Sequence, residues 1–164
     1  MGEYLPDRAG IGVMDPDLLM GMRHFLAVYE QHFEEIAAGL VHAALISPNG
    51  AMALRHMSRE QFEEQIRVSH PPVRKAILEG QWGPLLERQN LQGQTYADLG
   101  IRFQEWFDIV DKFQALLTPH LVQAFATDPI GLTAALAGMN RYLNLATREI
   151  ARAYFDAARR QGVR

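Results

Sequence analysis

Histidine is the side chain most used for acid–base catalysis and metal binding, and the sequence contains six of them. The zinc-protease pattern HExxH is absent, because acidic residues follow His32 but no second histidine lies four residues on. No Glu-x-x-His pair typical of di-iron proteins occurs, and no serine lies in the strand-to-helix elbow of hydrolases. We therefore expect a protein without enzymatic activity.

Two polar rings lie close to interruptions in predicted helices. His70 ends the stretch SREQFEEQIRVSH, directly before Pro71 and Pro72, and Tyr96 precedes a break at Gly100. We expect the two rings to face each other across a partly apolar pocket. The residues expected to line this pocket are Ile66, Val73, Leu86, Ile101, Phe103, Phe107 and Val110. The alternative is that the tyrosine ring packs in the core and its hydroxyl bonds to the backbone.

The elements that must position these residues are predicted to be helices. Apolar residues recur at helical spacing, and no window shows the period-two alternation of a strand. Seven or eight helices of unequal length favour an all-α, globin-like sensor domain with an additional N-terminal helix over an up-down four-helix bundle. A long helix that starts after Asp15 and ends before SPNG at 47–50 is expected to bend or divide at Gly21 and Gly39. A kink or restart is expected at Pro71 and Pro72.

Local signals mark several helix ends. Asp15 precedes a proline, SREQ at 58–61 fits a capping box, and TDP at 127–129 caps the last helix. SPNG at 47–50 predicts a turn, and AMALRHM after it predicts a short helix. Residues 1–16 are expected to form a flexible arm, and residues 17–160 form the domain.

Composition limits the class of protein. The 164 residues suffice for one domain with a hydrophobic core, and 48% of them are hydrophobic. A net charge of −3 argues against nucleic acid as a partner, and the absence of cysteine excludes disulfides. No apolar run is long enough to span a bilayer, and the N-terminus does not resemble a signal peptide. We therefore expect a cytoplasmic protein without a membrane partner.

The last helix has apolar residues on more than one face. One seam follows four-three spacing and consists of Met139, Leu143, Ala146, Ile150, Ala153 and Ala157. Further apolar side chains lie on other faces, so a second subunit is expected as a packing partner. The predicted homodimer forms mainly through the last two long helices, around residues 105–125 and 135–157. The polar, basic end of this helix is typical of a domain cut from a longer protein.

Three segments resemble the N-terminal sensor globin of the globin-coupled sensor family. They are MSREQFEEQI at 57–66, YADLGI at 96–101 and ATREIARAYFDA at 146–157, and the resemblance covers residues 20–157. These bacterial domains precede outputs such as diguanylate cyclases, histidine kinases and chemotaxis transducers. The resemblance implies a sensory input domain whose last helix leads to a C-terminal output domain.

The sequence departs from the family at the haem ligands. The family's proximal histidine falls on Tyr96, and its distal tyrosine falls near Ala43 or Ala44. His70 falls on a distal-helix position from which some members supply a sixth ligand. The resemblance thus leaves haem b open as a cofactor through His70, or through Tyr96 as a phenolate. The chain also resembles the haem-free globins of stressosome co-antagonist proteins, which favours the haem-free alternative.

Three functions remain open from the sequence. The first is a non-enzymatic sensory domain that dimerises and transmits a conformational change through its last helix, with an apolar small molecule among its candidate ligands. The second is a haem-binding oxygen or redox sensor with His70, Tyr96 or both as non-standard ligands. The third is a ligand-free interaction module of the stressosome type.

Overall fold

A computed structural model describes residues 15–46 and 57–162, and all regular secondary structure in these ranges is helical. In chain order the helices are α1 Pro16–Gln31, α2 Phe33–Ile46, α3 Arg59–Glu79, α4 Gly83–Asp98, α5 Gln104–Ala124 and α6 Pro129–Arg160. The predicted all-α fold is confirmed. Outside the described residues lie the first 14 positions of the predicted arm, the predicted turn SPNG and all but the last residue of AMALRHM.

The predicted helix caps are confirmed. Asp15 accepts a hydrogen bond from the first turn of α1 at 3.0 Å. The Ser58 Oγ accepts from the Gln61 N–H at 3.2 Å, and the Gln61 Oε1 accepts from the Ser58 N–H at 2.7 Å, which completes the capping box. The Asp128 carboxylate accepts from the first turn of α6 at 2.9 Å. These side chains satisfy backbone donors that a helix start leaves free.

The long helix predicted between Asp15 and SPNG is divided at His32, not at either glycine. His32 has φ −111° and ψ 18°, so α1 ends there and α2 begins at the next residue. Gly21 instead lies in close contact with α6, and Gly39 lies against the Leu116 side chain. The predicted division at a glycine was wrong, and both glycines serve close packing instead.

Helix α3 continues through Pro71 and Pro72, so the restart that was expected as an alternative to a kink was wrong. Each proline removes one backbone N–H from the helical ladder. The turns that follow are held by burial, since Val73, Ala76 and Ile77 are all at most 6% exposed. Core packing therefore keeps this segment helical despite the lost hydrogen bonds.

Helix α6 is the longest helix and packs against both α1 and α4. Both crossings are close enough to require glycine. A Cβ atom at Gly138 would lie 2.2 Å from the Gly21 carbonyl carbon, and one at Gly93 would lie 2.3 Å from the Ile150 carbonyl oxygen. The largest fully buried side chains are Met22, Phe25, Leu26, Ile36, Ile77, Leu117, Leu121 and Ile150.

The apolar seam predicted on α6 is used inside the chain. All six of its residues, from Met139 to Ala157, are buried, and Ile150 is 0% exposed. Packing within the chain therefore accounts for this seam, whereas Phe155 on another face of α6 is 49% exposed. Within the described ranges, no helix combines the length and the hydropathy needed to cross a membrane.

Candidate functional site

His70 packs against the end of α1. Its Nε2 lies 3.0 Å from the Glu30 Oε1, and its Nδ1 is buried without a hydrogen-bond partner. The His70 ring also contacts the rings of Tyr29 and Phe33, with centroids 5.6 and 5.2 Å away. Arg74 donates to both Glu30 oxygens, at 2.5 and 2.6 Å. Glu30 therefore occupies the Nε2 edge of this imidazole, while the ring also lines an open groove together with Phe33.

Tyr96 lies in the last turn of α4 and belongs to a different cluster. Its ring packs against Trp106 and Ile150, and its hydroxyl accepts a hydrogen bond from the Gln92 Nε2 at 3.1 Å. Burial raises the pKa of Tyr96, and the hydrogen bond from Gln92 opposes that rise only in part. The hydroxyl therefore stays protonated at neutral pH, and the phenolate that binds ferric iron is disfavoured.

The break after Tyr96 is a Schellman cap. Gly100 has φ 67°, in the left-handed region that favours glycine. The Ile101 N–H donates to the Tyr96 carbonyl at 2.9 Å, and the Gly100 N–H donates to the Ala97 carbonyl at 3.1 Å. The predicted break at Gly100 is confirmed, and α4 ends two residues beyond the tyrosine, at Asp98.

Four of the predicted lining residues belong to packed clusters. Val73 and Leu86 lie in the main core with Ile77 and its neighbours. Phe103 packs in the cluster of Tyr96, and Val110 packs against both clusters. These four side chains therefore contribute to packing on both sides of the predicted pocket.

The remaining three lining residues differ in exposure. Ile101 is buried at 2%, Ile66 is half-buried and Phe107 is 48% exposed. A side chain as exposed as Phe107 lies at the surface of the chain. The seven residues thus do not share one environment.

No hydrogen bond or ring contact joins His70 to Tyr96 in the described part of the chain. A haem held by both side chains needs two free ligand atoms and a slot between them. Instead, the His70 Nε2 is engaged by Glu30, the Tyr96 hydroxyl by Gln92, and Val73 packs in the core. In this arrangement the two side chains therefore do not hold one haem between them.

A buried carboxyl group lies near Tyr96. Glu105, at the start of α5, is 5% exposed, and its Oε1 accepts no hydrogen bond from the described residues. The Arg102 Nε lies 4.0 Å from that oxygen. Burial raises the pKa of Glu105, and the charge of Arg102 opposes this rise. Sequence reasoning missed this residue, since a glutamate in the first turn of a helix is ordinarily solvated.

A second polar cluster was also missed by sequence reasoning. The rings of His32 and His120 stack with centroids 3.7 Å apart and planes inclined by 17°. The Glu35 carboxylate lies 3.6 Å from the His32 Nδ1 and 3.4 Å from the His120 Nε2. The spacing of His32 and Glu35, three residues apart, is visible in the sequence. His120 lies far along the chain and joins them only through the fold.

Four aromatic rings form a partly exposed surface where the start of α5 meets the end of α6. We call this surface the aromatic patch, and its members are Phe103, Phe107, Tyr154 and Phe155. The Phe103 ring contacts the other three, with centroids 5.4 to 5.5 Å away. Phe107 and Phe155 are 48% and 49% exposed.

No protein-family model and no curated protein matches this chain.

Proposed function

We propose that the chain is a non-enzymatic, haem-free sensory input domain of a cytoplasmic signalling protein. It dimerises and transmits a conformational change through α6 to an output domain, as the resemblance to globin-coupled sensors implies. The observation that carries the proposal is the packing of α6. This helix meets α1 at Gly21 and Gly138 and meets α4 at Gly93, and we call these contacts the glycine crossings. Its C-terminal part contributes to the aromatic patch.

The glycine crossings couple α6 tightly to its neighbours. At Gly21 and Gly138 the backbones of α1 and α6 are in contact, and at Gly93 the backbone of α4 contacts that of α6. No layer of side chains separates the helices at these points. A displacement of α1 or α4 is therefore passed to α6 rather than absorbed by side-chain rotation.

A buried polar link adds to the coupling between α4 and α6. The Asn90 Nδ2 donates to the Glu149 Oε1 at 3.2 Å, and Glu149 is only 5% exposed. The Arg152 guanidinium donates to the same oxygen at 2.5 Å. Because an unpaired buried carboxylate is costly, this link fixes the register of α4 on α6.

The aromatic patch supports a homodimer. It lies on the two helices predicted to form the interface, and Phe107 and Phe155 each leave about half of their surface exposed. Exposed aromatic side chains in one place are typical of interface cores. A two-fold symmetric dimer uses the same patch on both subunits, so one patch suffices.

The surroundings of His70 and Tyr96 support the haem-free form. Glu30 and Gln92 hold the two side chains by hydrogen bonds, and the pKa of Tyr96 is raised by burial. In this respect the chain resembles the haem-free stressosome globins, which retain the fold without the ligand histidine. His70 and Tyr96 then act as packing side chains rather than as ligands.

A fusion protein tests the signalling role. The whole chain is placed ahead of a diguanylate cyclase domain that is active only as a dimer, with α6 continued into the connecting helix. We expect the fusion to be active, and Phe155→Glu to reduce its activity by breaking the dimer. Ile130→Glu is the matched control, since Ile130 is also on α6 and is 82% exposed outside the patch.

A second variant tests transmission apart from dimerisation. Asn90→Ala removes the donor to Glu149 and should change cyclase activity while the fusion remains dimeric in light scattering. If the Phe155→Glu and Asn90→Ala fusions both match the wild type in activity, α6 does not transmit a signal and the proposal is wrong.

A further inference from the structure

We propose that His32, Glu35 and His120 bind one divalent transition-metal ion, with zinc as the best-fitting member of that class. His32 lies at the junction of α1 and α2, Glu35 lies in the first turn of α2, and His120 lies on α5. One ligand atom from each residue falls within 4.8 Å of the others. The site shares an open groove with His70 but uses neither His70 nor Tyr96 as a ligand, and it goes beyond the proposed sensory role.

The distances are close to those of a coordinated ion. Four donors about 2.1 Å from a tetrahedral zinc ion lie about 3.4 Å from one another. The Glu35 carboxylate oxygens lie 3.4 Å from the His120 Nε2 and 3.6 Å from the His32 Nδ1. Small shifts of these atoms, together with a rotation of the rings, would therefore let them surround a metal.

The charge distribution leaves Glu35 without a basic partner other than histidine. Its neighbours on the same surface are neutralised, since Glu30 pairs with Arg74 and Glu34 pairs with Arg67. Within the described residues, the ion pairs of Glu35 are with the two histidines alone. A neutral imidazole offers this carboxylate no countercharge, whereas a bound cation would.

The donor set selects the class of metal. Two imidazole nitrogens and one carboxylate suit zinc, nickel, cobalt or copper, whereas calcium and magnesium prefer oxygen alone. Three protein ligands leave a fourth position for water or a small ligand. Glu35 is 66% exposed and the site borders an open groove of about 560 Å³, so an ion can enter from solvent.

Binding requires a rotation of the rings. The two imidazoles are stacked, whereas metal ligation requires their nitrogen lone pairs to converge on one point. His32 is 28% exposed and His120 17% exposed, which leaves His32 the more room to turn about its side-chain bonds. The bound metal would then join the α1–α2 junction to α5.

Isothermal titration calorimetry on the full chain tests the proposal. The sample is produced without a histidine tag, is freed of bound metal with a chelator and is then titrated with zinc chloride. We expect one zinc ion per chain and weaker binding at acidic pH, because an imidazole must be deprotonated to bind a metal. A hundredfold excess of zinc over Kd should raise Tm by roughly 5 to 10 °C.

Variants identify the ligands. His32→Ala, His120→Ala and Glu35→Gln should each weaken zinc binding at least tenfold, and Glu35→Gln is an exposed change that leaves the core intact. His42→Ala is the matched control, because His42 is an exposed histidine on α2 outside the cluster, and it should bind zinc like the wild type.

Two results would overturn the metal site. One is the absence of saturable zinc binding to the wild type. The other is wild-type affinity in both Glu35→Gln and a His32→Ala variant shown to be folded by circular dichroism. None of the three ligands takes part in the glycine crossings of α6, so metal binding and signal transmission can fail separately.

Discussion

Gly21 and Gly138 bring the backbones of α1 and α6 into direct contact. A Cβ atom at Gly138 would lie 2.2 Å from the Gly21 carbonyl carbon, and one at Gly21 would lie 2.1 Å from the Ala134 carbonyl oxygen. Real Cβ atoms do not approach backbone atoms this closely. The crossing therefore tolerates no side chain on either helix unless the helices separate.

Gly138→Ala should lower the free energy of unfolding by about 1 to 3 kcal/mol, because overpacking against a backbone outweighs the better helix propensity of alanine. Urea denaturation followed by circular dichroism measures the change. Gly83→Ala is the control, since nothing lies within 4 Å of its added Cβ, and it should be neutral or slightly stabilising. Equal stability of Gly138→Ala and the wild type would contradict the close crossing.

Glu105→Gln should change how stability depends on pH. The folded-state pKa of Glu105 is raised above its ordinary value of 4.5, so folding favours the protonated form. The resulting stabilisation is present below pH 4.5 and is lost as pH rises through the raised pKa. Relative to the wild type, Glu105→Gln should therefore gain stability between acidic and neutral pH. Urea denaturation at acidic and at neutral pH measures this difference in stability, and Glu87→Gln serves as an exposed control. If the stability of the wild type and of Glu105→Gln changed in parallel with pH, the prediction would be refuted.

Ile150→Glu should unfold the chain rather than dissociate a dimer. Ile150 is 0% exposed within a single chain, and a carboxylate placed there has no partner and loses its hydration. The free energy of unfolding should fall by about 3 to 5 kcal/mol. A folded Ile150→Glu variant of wild-type stability would show that this position is not in the core.

Phe155→Glu should convert a dimer to a monomer without unfolding it. Phe155 is 49% exposed in the aromatic patch, so the new charge remains solvated in the free subunit but is buried against its copy in a dimer. Multi-angle light scattering measures the mass, with Ile130→Glu as the control expected to stay dimeric. A wild type that is monomeric at the highest concentration reached would end the dimer proposal.

Much of the fold could be predicted because its signals are local. Asp15, Ser58 with Gln61, and Asp128 cap helices through bonds to residues two or three positions away. The wrong expectations concerned Gly21 and the two prolines of α3, where tertiary packing decided the outcome. A glycine that bends a helix and a glycine that admits another backbone have the same sequence signature.

The candidate sites could be predicted only in part. The helix end after Tyr96 could be predicted from Gly100, because a glycine readily adopts the left-handed conformation that this type of helix cap requires. The partners of His70 could not be foreseen, because Glu30 lies on another helix. The same holds for His120, which joins His32 through contact between distant parts of the chain.

Haemin titration tests most directly whether this is a haem-free domain in which His70 and Tyr96 pack rather than bind iron. Haemin is added to the wild type, His70→Ala and Tyr96→Phe, and the Soret absorbance is recorded at each step. We predict no saturable Soret band at one haem per chain in any of the three. A saturable one-to-one band in the wild type would contradict the haem-free assignment, and its loss in either variant would identify the ligand.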